Sequence, residues 1–158
     1  MRDPEMHAAM NVLSALFVPA LASDSNLLRL LFCRMVNVSL KYGTTDASPY
    51  GYAWFGLLLG PVFNRYKEAY QFGKLALDLI EKHSFLAWKG KLFYVMEMVL
   101  LWTHPLKAAL EHIRAAFRIG VEVGDLTYAC YGSEHTVTDG HGSEFRAPSA
   151  PRARASGD

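Results

Sequence analysis

The stretch YKEAYQFGKLALDLI, residues 66–80, decides the fold. Tyr66, Ala69, Tyr70, Gly73, Ala76, Leu77 and Ile80 fall three and four apart, which on an α-helix makes one continuous apolar stripe. Lys67, Gln71, Lys74, Asp78 and Lys82 lie mostly on the opposite side. Forty positions on, the pattern returns as Leu106, Ala109, Leu110, Ile113, Ala116 and Phe117. Self-similarity at such a period marks stacked helical units. Registering Tyr66 on Leu106 places Ala69 on Ala109, Gly73 on Ile113 and Ala76 on Ala116. These eight residues are read as the packing positions of the repeat. Small side chains there let a neighbouring helix come close, and Ile113 in place of Gly73 predicts a different local spacing in the second copy.

Outward from this stretch the chain reads as helices throughout. Asp3 followed by Pro4 is an N-cap acceptor before a proline at the first helical position, so a helix is expected to about Ala22, broken near Val18 by Pro19. A second helix spans Asn26 to Tyr42, with Leu27, Leu30, Leu31, Met35 and Val38 as its expected buried face and Gly43 as its terminator. Ser48-Pro49 starts a third, which Gly60-Pro61 is expected to kink or stop. The fourth runs from Tyr66 to about His83. Ser84 to Gly90 connects it to a fifth over Lys91–Thr103, with Phe85 and Trp88 folded inward. His104-Pro105 opens a sixth that stops at Gly124, and Asp125 caps the start of a seventh. From Gly132 the composition turns to Gly, Ser, Pro and Arg without periodicity, and residues 132–158 read as a disordered tail. The expected organisation is an N-terminal helix over 1–25, a repeat domain over 26–131, and that tail. The expected class is all-α, an α-solenoid of about three antiparallel helix pairs.

Composition narrows the function. The 158 residues are 51% apolar and 20% charged, with a formal net charge of +1. That balance supplies a core but neither a nucleic-acid footprint nor attraction to an anionic membrane. Cys33 and Cys130 lack metal or CxxC spacing, so free thiols and a reducing, cytoplasmic setting are expected. No apolar run reaches the roughly 18 residues of a membrane span. The segment MRDPEMH carries Asp3 and Glu5 against one Arg, so the apolar residues 8–22 are read as a packed helix and not a signal peptide.

No catalytic constellation appears. His135, Asp139, His141 and Glu144 are ligand types close together, but a glycine-rich segment lacks the rigid spacing that a metal demands, and no metal or cofactor is expected. Arg146, Arg152 and Arg154 are too dilute for a nucleic-acid site. Ser39 and Ser48 form no triad with a histidine in sequence. Glu97 between Met96 and Met98 is expected to face solvent, His104 to mark a helix boundary, and Trp102 to sit in the core, with an aromatic groove anchor for a peptide as the alternative.

Alanines seven apart in a second helix, with an aromatic three before the first, resemble tetratricopeptide repeats: Tyr66, Ala69 and Ala76 match. Ala53 and Gly56 stand where that family has Trp and Leu, and the period is 40 against about 34 residues. A closer resemblance covers Leu27 to Tyr131. RMVNVSLKYGTTDASPYGYAWFG, YKEAYQFGKLALDLIEK and WTHPLKAALEHIRAAFRIGVEVGDLTYACY resemble the helical region of large STAND/AAA-type signalling ATPases fused to serine/threonine-kinase, GAF and sensor histidine kinase domains. Tyr42-Gly43, Gly73 with Leu75-Ala76-Leu77, Trp102 with Pro105-Leu106, and Gly124-Asp125 carry the match. Gly60-Pro61 and the tail depart from it. No GxxxxGK[ST], HRD, DFG or histidine phosphoacceptor box is present, so the resemblance implies a non-enzymatic module that scaffolds a protein partner or neighbouring signalling domains. The break-off as a seventh helix begins is read as a fragment or frame-shifted end of a longer protein, with self-association expected through the uncapped last helix. The alternative expectation is a small ligand-binding protein or enzyme, its pocket lined by Tyr50, Tyr52, Trp54, Phe55, Phe63, Tyr66, Tyr70 and Phe72.

Overall fold

The computed structural model describes residues 3–141, and residues 138–141 by their backbone only. All regular structure among them is helical: α1 (Pro4–Ala15), α2 (Phe17–Ser23), α3 (Ser25–Tyr42), α4 (Ser48–Phe63), α5 (Tyr66–His83), a 3-10 turn (Leu86–Trp88), α6 (Lys89–Thr103), α7 (Leu106–Val123) and α8 (Leu126–His141).

Caps explain most of these boundaries. The Asp3 carboxylate accepts the N–H groups of Glu5 and Met6 ahead of Pro4. Asp24 accepts from Asn26 at the head of α3. The first helix breaks at Leu16, bending by 42° into α2. The expected break near Val18 is thus observed one turn before Pro19's own carbonyl, where the proline has no N–H to donate back to Ala15. α4 runs through Gly60 and Pro61 and ends only at Phe63, where left-handed Asn64 (φ 57°) closes it. Pro61 lies within the last turn, so it interrupts little of the helix.

α4 and α5 form an antiparallel pair: Gly60 lies against Tyr66, and Gly56 against Ala69 and Phe72. α6 and α7 repeat the arrangement, with Gly90 against Ala116 and Gly120. α5 and α7 are both 18 residues long, begin at 66 and 106, and end in left-handed Ser84 and Gly124. After each, an N–H reaches back over the last turn: Phe85 to the Ile80 carbonyl and Asp125 to that of Gly120. The 40-residue register therefore holds at both ends of both helices. α8 begins at Leu126, 40 positions after the 3-10 turn at Leu86, and packs on α7 and α6 as α6 packs on α5 and α4.

α4 and α6 are enclosed on most sides, whereas α5 and α7 bury one stripe. Along that stripe Ala69, Gly73 and Ala76 are buried in α5, and Ala109, Ile113 and Ala116 in α7. Tyr66 and Leu106, at the heads of the two helices, stay more than a third exposed. A Cβ on Gly73 would collide with Met96, while Ile113 fills its own site completely. The two copies thus differ in which partner supplies the bulk. The main core joins Ala69, Ala76, Ile113 and Ala116 to the N-terminal helices through Met10, Phe17 and Ala20, and Met96, Leu100 and Ala109 form a second, smaller cluster.

Two expectations are corrected. Leu27 and Leu30 are exposed, Leu30 by 67%. The buried face of α3 is instead Leu28, Leu31, Phe32, Met35, Val36 and Val38, because α4 covers one flank and α1 and α2 another. The run LLRLLF is apolar on both sides of the helix, so its spacing fits either rotation. The helix beginning at Asp125 also does not stop at Gly132. α8 continues to His141, because Gly132 packs against the Phe117 backbone of α7 and lets the helix stay in contact. The rest of the expected tail, 142–158, lies outside the described residues, with Glu144 and Arg146, Arg152 and Arg154.

No single helix is long and apolar enough to cross a membrane among the described residues; the bent pair α1–α2 reaches that length and composition only jointly.

Candidate functional site

Three places hold chemistry that packing alone does not use. The first is an apolar patch over the turns that join α4 to α5 and α6 to α7. Trp102 is 45% exposed and Phe63 62%, and Val62, Tyr66, Leu101 and Leu106 are each more than a third exposed. The indole of Trp102 meets the Tyr66 ring edge-on at 5.8 Å. Gly60 lies beneath both, with a Cβ position 3.1 Å from each ring. Trp102 was expected in the core and is corrected here. It occupies the last turn of α6, beyond the span that α7 covers after the Pro105 turn. His104 marks the boundary as expected, capping α6, and its ring lies 4.5 Å from that of Tyr70.

The second place is a polar contact between α6 and α8. Glu97 is fully buried, contrary to the expected solvent-facing slot. α8 covers that side of α6, and the expectation ended α8 before His135. His135 Nδ1 lies 3.0 Å from Glu97 Oε2, and its Nε2 3.3 Å from the Tyr94 hydroxyl. The ring of His135 also packs on that of Tyr94 at 4.9 Å. Burial, with the Glu97 charge second, pushes the Tyr94 phenol up to about 12. His135 therefore serves an interhelical contact. Asp139 and His141 follow it on α8, and no cluster of three metal-ligand types occurs among the described residues.

The third place is a recess of about 340 Å³ between the α1–α2 bend and the head of α8. Phe17, Tyr50, Trp88 and Tyr128 wall it, and Lys91, Asp125 and Thr127 form its lip. A shallower hollow lined by Ala87, Val123 and Leu126 continues from the same lip. Lys91 Nζ lies 3.4 Å from Asp125 Oδ2, 4.9 Å from the centre of the Trp88 ring and 5.3 Å from that of Tyr128. Asp125 Oδ1 accepts the Tyr128 N–H, capping α8. The Trp88 indole N–H donates to Asp46. The hydroxyls of Tyr50 and Tyr128 lie 2.6 Å apart, and burial raises both phenols well above the ordinary range, so both keep their protons.

The eight aromatics of the alternative pocket do not converge on one cavity. Tyr50 lines the recess, but Trp54 stacks on Phe32 in the core at 5.2 Å, Phe55 and Tyr52 pack on Phe72, and Phe63 and Tyr66 face outward. Ser39 and Ser48 meet each other: their hydroxyls lie 2.7 Å apart, and that of Ser48 accepts the Thr45 N–H, tying the α3–α4 connection. Cys33 and Cys130 are free thiols. Sequence reasoning missed the recess, because Phe17, Tyr50, Trp88, Lys91 and Tyr128 come from separate elements. The cap at Asp125 was its only local signal.

A comparison with characterised proteins finds similarity to a stretch of hybrid signal transduction histidine kinase G from Dictyostelium discoideum. The two are 29% identical over an alignment of 139 positions that covers 85% of this chain and 4% of that protein. The chain therefore spans a small part of the relative it matches. No family model matches the chain, and no solved structure matches it.

Proposed function

We propose that this chain is a non-catalytic, tetratricopeptide-like solenoid module that presents its exposed aromatic patch to a partner protein in a cytoplasmic signalling assembly. The observation that carries the reading is the patch itself. Trp102 and Tyr66 touch at the surface, Phe63 is exposed at the end of α4 three residues before Tyr66, and large exposed aromatics grouped at helix ends suit partner recognition. Two further facts support it. The hairpins recur at 40 residues, as stacked units do. The similarity to a signal transduction histidine kinase gives the setting, while the aligned stretch is too small a part of that protein to bring its catalysis with it. Metal and cofactor chemistry have no role in this reading.

Photo-crosslinking tests it. Benzoylphenylalanine placed at Trp102 should capture a defined protein in cells, identified by mass spectrometry. The same probe at Lys74, on the exposed side of α5, should not. Equal capture at both positions would overturn the assignment of the patch. Capture of a second copy of this chain at Trp102 would make the partner the chain itself.

A further inference from the structure

The apolar patch around Trp102 is bordered by one sign of charge. Over residues 61–67 and 101–107, which carry the patch, the charged residues are Arg65, Lys67 and Lys107, all basic. Lys67 and Lys107 are exposed and stand 40 positions apart, each directly after the first residue of its helix, Tyr66 in α5 and Leu106 in α7. The repeat therefore sets a lysine at the same point of both helices. The ring contacts of Tyr66 with Trp102 and of Tyr70 with His104 bring the head of α5 to the turn from which α7 starts, so both lysines border one apolar area.

Neither lysine serves the fold. The first turn of a helix carries the positive end of its dipole, so a cation there opposes helix stability. Neither lysine closes an ion pair among the described residues. The nearest acids in the sequence are Glu68 and Glu111. Arg65 holds Glu68 at 3.0 Å, which uses the charge of Arg65 and leaves that of Lys67 over. α7 has no acid in its first turn, and Glu111 follows Lys107 one turn later without pairing with it. Neither helix has a side-chain cap that would offset the charge at its head.

Charge and apolar exposure together select the partner. An uncharged apolar segment would cover Trp102 and Phe63 but leave both lysines facing nothing, and a basic one would be repelled. Nucleic acid and anionic lipid are drawn to larger basic clusters than two lysines, and the whole chain has a net charge of only +1. A protein segment with carboxylates beside apolar side chains answers both features.

We propose that the Trp102 patch receives an acidic, apolar-anchored segment of a partner protein, whose carboxylates meet Lys67 and Lys107 while its apolar side chains cover Trp102 and Phe63. The proposal rests on the patch being a docking surface and adds the chemistry of what docks. The aromatics supply the buried area, and the lysines select by charge.

The test uses the full chain and three fluorescently labelled peptides of equal length, which share their Phe and Leu positions and carry Glu, Gln or Lys at all others. Anisotropy titrations should show the Glu peptide binding about tenfold tighter than the Gln peptide, the Lys peptide not binding saturably, and the affinity for the Glu peptide falling as salt rises. Lys67→Glu combined with Lys107→Glu should reverse the order, so that the Lys peptide binds more tightly than the Glu peptide. Acids in the first turn favour these helices, so the unfolding midpoint of that variant should not fall, and a variant that merely misfolds would not gain a ligand. Equal binding of the Glu and Gln peptides, no saturable binding of the Glu peptide, or an order unchanged by the charge reversal would each overturn the proposal. Tighter binding to phosphatidylserine vesicles than to the Glu peptide would overturn it in favour of a membrane. Crosslinking at Trp102 does not depend on the partner's charge. A defined partner captured there through a neutral or basic segment would therefore keep the docking surface and overturn the acidic class alone.

Discussion

Single residues set the closeness of the helices. A Cβ on Gly56 would lie 2.8 Å from Phe72 Cβ and 2.9 Å from the Ala69 carbonyl oxygen, neither of which is a flexible tip. Gly56→Ala gains helix propensity but forces α4 and α5 apart. We expect a net loss of roughly 1–3 kcal/mol, read by chemical denaturation. Ser84 is the reverse case. It holds φ 56° at the position where the other copy has Gly124, so Ser84→Gly should stabilise by about 0.5–1 kcal/mol. The buried tyrosines give a pH signature. Tyr50, Tyr94 and Tyr128 are raised above 10 in the fold, chiefly by burial. Above pH 10 the unfolded chain releases these protons while the folded chain keeps them, so alkali favours unfolding. The contribution of these tyrosines should be constant below pH 10 and then fall, by up to roughly 1.4 kcal/mol per pH unit for each. Tyr94→Phe should make the fall shallower between pH 10 and 12, and an unchanged slope would contradict its burial. The spacing of Ala69, Gly73 and Ala76 was legible in the sequence as a close-packing stripe. The spatial partners of Gly56 and Gly120 were not, because a glycine's neighbour across a helix pair leaves no local trace.

At the scale of elements, helices with a cap at one end and an αL residue at the other were legible to within a residue or two. α5 and α7 have no side-chain cap at their heads, and there the amphipathic stripe and the left-handed residue at the C-terminal end marked them. α3 was legible as a helix but not in its rotation, since LLRLLF is apolar on both flanks. α8 was the element most misjudged. Its second half, GSEHTVTDGH, has little apolar content and two glycines. What holds it is tertiary: Gly132 against Phe117, and His135 against Glu97 and Tyr94. Those contacts also turn Glu97 from an apparent surface residue into a buried one. A double-mutant cycle with Glu97→Gln and His135→Gln measures this docking. Residues in one hydrogen-bonded network couple by about 0.5–3 kcal/mol. A coupling within error of zero would mean that α8 does not lie on α6 past Gly132.

For the whole molecule, the 40-residue repeat leaves one set of helix ends carrying Trp102, Phe63 and Tyr66 on the outside, and the other set enclosing the recess. The repeat was visible in the sequence because each copy needs the same stripe. Its use was not, because an exposed aromatic and a buried one look alike in a one-dimensional pattern. Trp102 was read as core for that reason. Replacing it separates function from folding, since a side chain 45% exposed contributes little to the core. The decisive measurement is the affinity of Trp102→Ala for the protein captured by the crosslinker, taken together with the variant's thermal unfolding. Binding through the patch should weaken by about 2 kcal/mol or more, the scale of an interface hot spot, with an unfolding midpoint close to that of the unaltered chain. Undiminished binding would contradict the assignment of the patch.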